Sequence, residues 1–224
     1  MRLLVFIAFA FILFSCDDER SNDKVPFIGN YDLEYSIVNG EQQIDTIYQP
    51  IEKFSFLNQD STLITEQTYD GKILITEFFF ATCPTICPIM NVQMSKLHEA
   101  VKSINGNQNI QFLSFSIDPI KDTPSALNKY KKSLCIDCEN WDFLTGDEAF
   151  THRLGIESFK VFAGREEEAE GGYAHSGAFS MADQNGYLRG VYNITGFDGS
   201  VNKMEYRRLL KDLQILIESE IVTN

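Results

Sequence analysis

From Ile73 to Phe80 the chain reads Ile-Leu-Ile-Thr-Glu-Phe-Phe-Phe, a nearly continuous apolar and β-favouring run opened by Gly71-Lys72. A short run without alternation predicts a central strand covered on both faces. Beyond Pro88 the period changes. Met90, Met94, Leu97, Val101 and Ile104 recur at steps of three and four, which predicts a helix from Pro88 to Ile104 with one apolar face. Ile110 to Ile117 reads as a second buried strand. After it come Asp118-Pro119-Ile120-Lys121-Asp122-Thr123-Pro124, where Thr123 is placed to cap a helix and Pro124 suits its first turn. That helix runs to about Lys132. The pattern then predicts a strand over Trp141–Thr145, a short helix over Asp147–Leu154, an extended piece at Lys160–Phe162 and a last amphipathic helix over Asn202–Glu218. Two hairpins complete it. Ile51 to Thr65 alternates around Asn58-Gln59-Asp60-Ser61, and Ala178–Met181 and Tyr187–Tyr192 flank Asp183-Gln184-Asn185-Gly186, whose Asn-Gly pair is a strong turn signal.

Strand and helix alternate through the middle of the chain, and a hairpin and a helix close it. That order predicts one α/β domain of thioredoxin-like fold, with an N-terminal β-hairpin extension and a late β-hairpin insertion. No internal repeat or low-complexity tract interrupts it. The N-terminus carries a different signal. Met1-Arg2 is followed by twelve apolar residues, Leu3 to Phe14. A bilayer core needs roughly 20 such residues in a helix, so the run reads as the apolar region of a secretory signal peptide, residues 1–15. Leu13-Phe14-Ser15-Cys16 resembles a bacterial lipobox, with cleavage at Cys16 and acylation of its sulfur. Acyl chains hold a domain at a leaflet because each buried CH₂ contributes about 0.8 kcal/mol. Asp17 to Lys24 is polar throughout and reads as a flexible tether, so residues 16–24 link a lipid anchor to a domain spanning 25–224. The predicted address is the cell envelope, outside the cytoplasm.

With 19 Lys and Arg against 32 Asp and Glu, the 224-residue chain has a formal net charge of −13, and no basic cluster offsets it. Such a surface repels phosphate backbones, which sets nucleic-acid binding aside. Beyond Cys16 the cysteines fall in two close pairs, Cys83/Cys87 and Cys135/Cys138. Outside the cytoplasm such pairs permit disulfides.

The first pair stands in Thr82-Cys83-Pro84-Thr85-Ile86-Cys87-Pro88, where a buried strand ends and a helix begins. In open α/β sheets that is where ligands collect. Proline has no amide hydrogen, so Pro88 belongs in the first helical turn, and Cys87 then lies at the positive end of the helix dipole. Both thiols should ionise more readily than free cysteine. Two prolines in so short a loop also leave little entropy to lose when the sulfurs bridge one metal or each other. A plain disulfide staple is the bland alternative, but closing a short loop stabilises less than closing a long one. A lone Cys-x-x-x-Cys is common by chance; its position gives it weight.

From about Ile47 onward the chain resembles the SCO/SenC family of membrane-anchored, copper-binding thioredoxin-fold proteins. The resemblance is carried by Phe54-Ser55-Phe56-Leu57-Asn58-Gln59-Asp60, by Phe78 to Pro88, by Ser116-Ile117-Asp118-Pro119 with Asp122-Thr123-Pro124, by Trp141 to Gly146, and by Ala174-His175-Ser176. It implies copper held by Cys83, Cys87 and His175, and delivery of that copper to the binuclear site in the copper-bearing subunit of cytochrome c oxidase. Other copper carriers or thiol reductants are the further partners it implies. Two soft thiolates and an imidazole suit Cu(I), and Cu(II) tops the divalent affinity series. Zinc is the chemical rival, but a closed zinc site usually takes four ligands and no fourth is evident.

Taken without the family, His175 reads more readily as a hydrogen-bonding residue than as a ligand. His98 and His152 read as structural or solvent-facing, and Met90 and Met94 as core packing. Thr85 departs from the family, many of whose members place Asp there. Cys135-Ile136-Asp137-Cys138 is also outside the family pattern; it reads as a local disulfide or two reduced thiols, with a second redox or metal site as the sharper alternative. Glu166 to Gly172 reads as a solvated flexible loop; the sharper alternative is that its glycines let it swing and bring His175 to the sulfurs only when metal or a partner is present. Two other functions compete with the metallochaperone: a thiol-disulfide oxidoreductase using Cys83 and Cys87 on partner cysteines, and a peroxidase using Cys83 alone. All six prolines lie at or before 124, which leaves no later one to face the disulfide of a generic thioredoxin-type reductase.

Overall fold

The computed structural model describes residues 24–134, 138–169, 171–196 and 198–221. The chain forms β1 (Tyr31–Val38), β2 (Glu41–Tyr48), β3 (Ser55–Asn58), β4 (Leu63–Thr65), β5 (Ile73–Phe79), α1 (Cys87–Val101), β6 (Ile110–Ser116), α2 (Pro124–Leu134), β7 (Trp141–Thr145) and α3 (Glu148–Glu157). There follow β8 (Ala163–Arg165), β9 (Tyr173–His175), β10 (Gly177–Ala182), β11 (Leu188–Thr195) and α4 (Lys203–Ile221). Seven strands make one mixed sheet in the order β11-β10-β5-β6-β7-β3-β4. β5, β6 and β7 run parallel, with Ile73 opposite Ile110 and Phe79 opposite Ser116. β10 lies antiparallel on the other side of β5, with Ser180 opposite Thr76. Among the described residues no helix is long and apolar enough to cross a membrane.

Every residue of β5 and β6 is buried, as an unbroken apolar run requires. Because side chains alternate along a strand, neighbouring phenylalanines serve opposite layers. Phe78 stacks on Phe115 at 5.2 Å and lies against Gly155 of α3, where an added Cβ would come 3.1 Å from the ring. Phe79 faces the other way, against Tyr130 of α2 at 5.5 Å and Phe143 at 5.6 Å. The start of α3 is set by Asp147, whose Oδ1 accepts the Phe150 N–H at 2.7 Å, and that of α2 by Thr123, whose Oγ1 accepts the Ala126 N–H at 3.4 Å.

The Ile51–Thr65 hairpin forms as β3 and β4 and joins the edge of the main sheet. Two features go beyond or differ from the sequence reading. A further hairpin, β1–β2, precedes that one as a separate two-stranded sheet. Its turn is Asn39-Gly40, with φ of 54° and 84°, the doubly positive pair that a tight hairpin turn selects. The extended piece expected at Lys160–Phe162 arrives later, as β8, because Lys160 takes φ of 57° and breaks the strand direction there.

One carboxyl group is fully buried in the sheet. Glu77 Oε1 accepts the Ser114 hydroxyl at 2.6 Å, and Ser114 Oγ accepts the Trp141 Nε1–H at 2.9 Å, while Glu77 Oε2 has no hydrogen-bond partner among the described residues. Burial pushes the Glu77 carboxyl up from 4.5 to about 7, against the opposing effect of the Ser114 hydrogen bond. Below pH 4.5 both folded and unfolded states hold the proton. Between 4.5 and 7 only the unfolded state loses it, so this residue makes the fold less stable as pH rises, by about 3 kcal/mol once above the window. Glu77→Gln removes the titration. Urea unfolding of the two proteins across pH 4–8 should show the variant gaining on the wild type through that window and running parallel above it; a pH-independent difference would contradict the assignment.

Candidate metal centre

The loop after β5 is tied down before it reaches the cysteines. The Ala81 N–H donates to Asp122 Oδ2 at 3.0 Å, and the Ser116 hydroxyl donates to the same oxygen at 2.6 Å. The carboxylate thus joins the exit of β5 to the exit of β6. Burial raises the Asp122 carboxyl above its ordinary range, and the Ser116 and Ala81 donors oppose that. The chain then turns, with the Cys83 N–H on the Phe80 carbonyl at 3.1 Å. Cys87 opens α1 and Pro88 follows in the first turn, so the helix's positive end lies beside the sulfurs. Asn91, one turn on, donates from Nδ2 to the Cys87 carbonyl and to the Tyr130 hydroxyl, both at 2.8 Å.

His175 reaches the same place from the other direction. It ends β9, which pairs with β8 through Ala163 opposite His175 in a two-stranded ribbon of its own. Its Nε2 lies 2.8 Å from Cys87 Sγ and 3.9 Å from Cys83 Sγ, its Nδ1 faces the Ser176 carbonyl at 3.4 Å, and its ring stands edge-on to Phe80 at 5.8 Å. All three residues are buried. Their donor atoms lie within 4.8 Å of one another, and among the described residues this is the one group of three or more metal-ligating side chains so arranged. Both cysteines are free thiols.

The two sulfurs titrate in opposite directions. Hydrogen bonding from Cys87 holds the Cys83 thiol well below the ordinary range, with His175 and the Thr85 hydroxyl helping and burial opposing. Burial and the neighbouring negative sulfur push Cys87 up. A soft cation between the sulfurs would offset the negative charge that burial disfavours at Cys87. Two sulfurs and one nitrogen with no fourth His, Cys, Asp or Glu in the group fit Cu(I) better than a closed zinc site.

The remaining sequence candidates go elsewhere. His98 is buried, with Nε2 at 2.7 Å from Asn140 Oδ1, Nδ1 at 3.5 Å from Cys138 Sγ, and its ring against Phe112 and Trp141. His152 Nε2 bonds the Ile117 carbonyl at 3.1 Å. Met90 and Met94 are fully buried in the core. Cys138 is disulfide-bonded, while the local-disulfide reading also falls on Cys135, which, like Cys16, lies outside the described residues. Thr85, in place of the acidic residue, puts its hydroxyl 3.5 Å from Cys83 Sγ. Glu166, Glu167 and Glu168 are exposed, and the loop folds back on itself, the Glu166 N–H on the Gly172 carbonyl at 3.1 Å. Gly171, at φ of 90°, passes so close to Phe80 that an added Cβ would lie 2.8 Å from its ring. The sequence reading missed Asn91, Phe80 and Asp122 as supports of the site. Only the i, i+4 spacing from Cys87 could have suggested Asn91.

The family model described as SCO1/SenC matches residues 43–205. The chain is 30% identical over 176 residues to the SCO1 protein homolog of Bacillus subtilis, a match covering 77% of this chain and 90% of that one. The solved SCO1/SenC family lipoprotein of Bacillus anthracis shares 29% identity and superposes with a TM-score of 0.65, covering 75% of this chain and 94% of the other. BsSco, solved as a member of the Sco family of cytochrome c oxidase assembly proteins with a disulfide switch, shares 27% identity at a TM-score of 0.63, over 75% and 93% of the two chains. Copper-bound members of the family share the fold. With the match spanning most of the domain and both halves of the sulfur–imidazole cluster, this chain belongs to the SCO1/SenC family.

Proposed function

We propose that this protein is a membrane-anchored copper metallochaperone. It holds one copper ion on Cys83, Cys87 and His175 and passes it to the binuclear copper site of the copper-bearing subunit of a haem-copper oxidase. The observation that carries this reading is the convergence of two free sulfurs and an imidazole nitrogen within 4.8 Å in a buried site. Copper is the cargo. The thiolates supply soft charge, and His175 supplies a third donor that shapes the site for both oxidation states. Transfer proceeds by ligand exchange, in which an incoming partner sulfur replaces one of the chain's donors before the next one leaves. Oxidation of Cys83 and Cys87 to a disulfide consumes both sulfurs as ligands, so the reduced pair is the loading form. The relatives' assignment to cytochrome c oxidase assembly supports the choice of recipient.

The same reading includes the address. The lipobox at Leu13 to Cys16, the lipoprotein of Bacillus anthracis and the disulfide at Cys138 all support acylation of Cys16 and a domain outside the cytoplasm. The intact mass of the membrane-extracted protein should show loss of residues 1–15 and addition of lipid at Cys16; an unmodified Cys16 would refute this part.

Anaerobic titration with Cu(I) against a coloured chelator should give one ion per reduced chain and none for the chain oxidised at Cys83 and Cys87. His175→Ala should weaken binding by at least about 100-fold, since removal of even an outer-shell partner costs 10–100-fold. Thiol reactivity of the cysteines should survive in that variant. Copper binding that is indifferent to His175→Ala, or that persists in the oxidised chain, would overturn the proposed site.

A further inference from the structure

The β1–β2 hairpin has an apolar face that, apart from the Phe27 ring stacked on Tyr48 at 5.0 Å, stays open among the described residues. Its register sets Tyr31 opposite Tyr48, Leu33 opposite Thr46 and Tyr35 opposite Ile44, so Tyr31, Leu33, Tyr35, Ile37, Ile44 and Tyr48 share one face. These six side chains are solvent-exposed or nearly so, Ile37 at 80% and Tyr35 at 61%. The opposite face carries Asp32, Glu34, Glu41 and Asp45, with Val38 and Ile47 exposed among them, while Gln42 and Thr46 stand beside the six on the first face. Six large apolar side chains gathered on one face, with all four carboxylates on the other, make a surface suited to an apolar neighbour.

The hairpin is also held in place. Its stem is fixed by the Ile28 N–H on the Leu188 carbonyl at 3.0 Å, the Gln49 N–H on the Asn30 carbonyl at 2.7 Å and the Ile51 N–H on the Gly186 carbonyl at 2.8 Å. Just before it, Arg189 clamps the chain: its guanidinium donates to the Val25 and Pro26 carbonyls, pairs with Asp183 at 2.7 Å and covers the Phe27 ring at 4.0 Å. Cys16 precedes this clamp by nine residues, a leash of roughly 30 Å when fully extended. Each strand of the hairpin, 8 residues long, spans roughly 27 Å. A lipid on Cys16 therefore keeps the bilayer within reach of the hairpin, and no other described element is tied so directly to the tether.

We infer that the β1–β2 hairpin lies on the bilayer surface, with its Tyr31–Ile37 face in the headgroup and upper acyl region and its acidic face turned to water. This rests on the lipid-anchor reading for the nearness of the membrane. Tyrosine is favoured at that interface, where its ring is buried and its hydroxyl stays wet, and the interleaved Leu33, Ile37 and Ile44 supply the apolar contact. The net charge of −13 argues against attraction to anionic headgroups, so the contact is apolar and insensitive to salt. The stem sits at the Gly186–Leu188 end of the sheet, beside the start of β5, whereas the sulfurs follow the end of β5. Seating the hairpin on the bilayer thus turns the metal centre away from it.

The test uses the full chain, extracted, purified and reconstituted in phosphatidylcholine vesicles with brominated acyl chains. Tyr35→Trp places a reporter on the apolar face and Ser36→Trp places one on the acidic face; Trp141 is buried and serves as a constant background. The expected result is that the emission added by Tyr35→Trp falls by roughly half in brominated relative to unbrominated vesicles, at low and high salt, while that added by Ser36→Trp does not change. Equal quenching of both, or of neither, would overturn the proposal. So would emission of Tyr35→Trp that is blue-shifted yet unquenched, with the protein migrating as a dimer in detergent, which would place a second copy on the face. The mass of the same preparations reports acylation of Cys16 separately. Acylation without quenching sinks the hairpin contact and leaves the anchor standing. An unmodified Cys16 in those preparations, with Tyr35→Trp alone still quenched, sinks the anchor and leaves the contact standing.

Discussion

The antiparallel pairing of β10 with β5 is the constraint on which the metal centre depends. Ser180 sits opposite Thr76 and Ala182 opposite Leu74, so the start of β10 lies toward the end of β5, and the residues just before β10 arrive beside the loop that carries the cysteines. The imidazole and the sulfurs meet there, although 88 residues separate His175 from Cys87. The Asp122 carboxylate completes the frame by holding the exits of β5 and β6 together. None of these contacts touches a metal. They position the donors before one arrives, which lowers the ordering cost of binding.

Much of this was legible in the residues. The unbroken apolar run at Ile73–Phe79, the Pro88 signal for a first helical turn and the Asn185-Gly186 turn each specify local structure through sterics and burial that need no tertiary context. The cysteines could be placed for the same reason: they follow a strand and precede a helix. His175 could not be derived that way. Its ligand role came from resemblance, because β8 and β9 are three residues each and carry no period to read. The β1–β2 hairpin escapes the pattern for a different reason. Its Asn39-Gly40 turn is a strong local signal, but its apolar side chains face away from the core, and a reading that seeks core strands passes over them.

Charge in the interior follows from the same layering. Glu77 and Cys87 lie in the middle of the sheet and just past the end of its central strand, where water is excluded, so burial disfavours negative charge on each. A cation resolves the conflict at the sulfurs, and a retained proton resolves it at Glu77. Burial that would only penalise an ordinary enzyme nucleophile here raises the value of a bound soft ion.

The separateness of the β8–β9 ribbon has a kinetic meaning. Local opening breaks the weakest cooperative unit first. Freeing the imidazole disrupts a short ribbon that shares no ladder with the seven-stranded sheet, whereas freeing Cys87 requires unwinding the first turn of α1. The nitrogen is thus the donor that local opening frees first and the sulfurs those it frees last, and the first of these steps leaves the host domain folded.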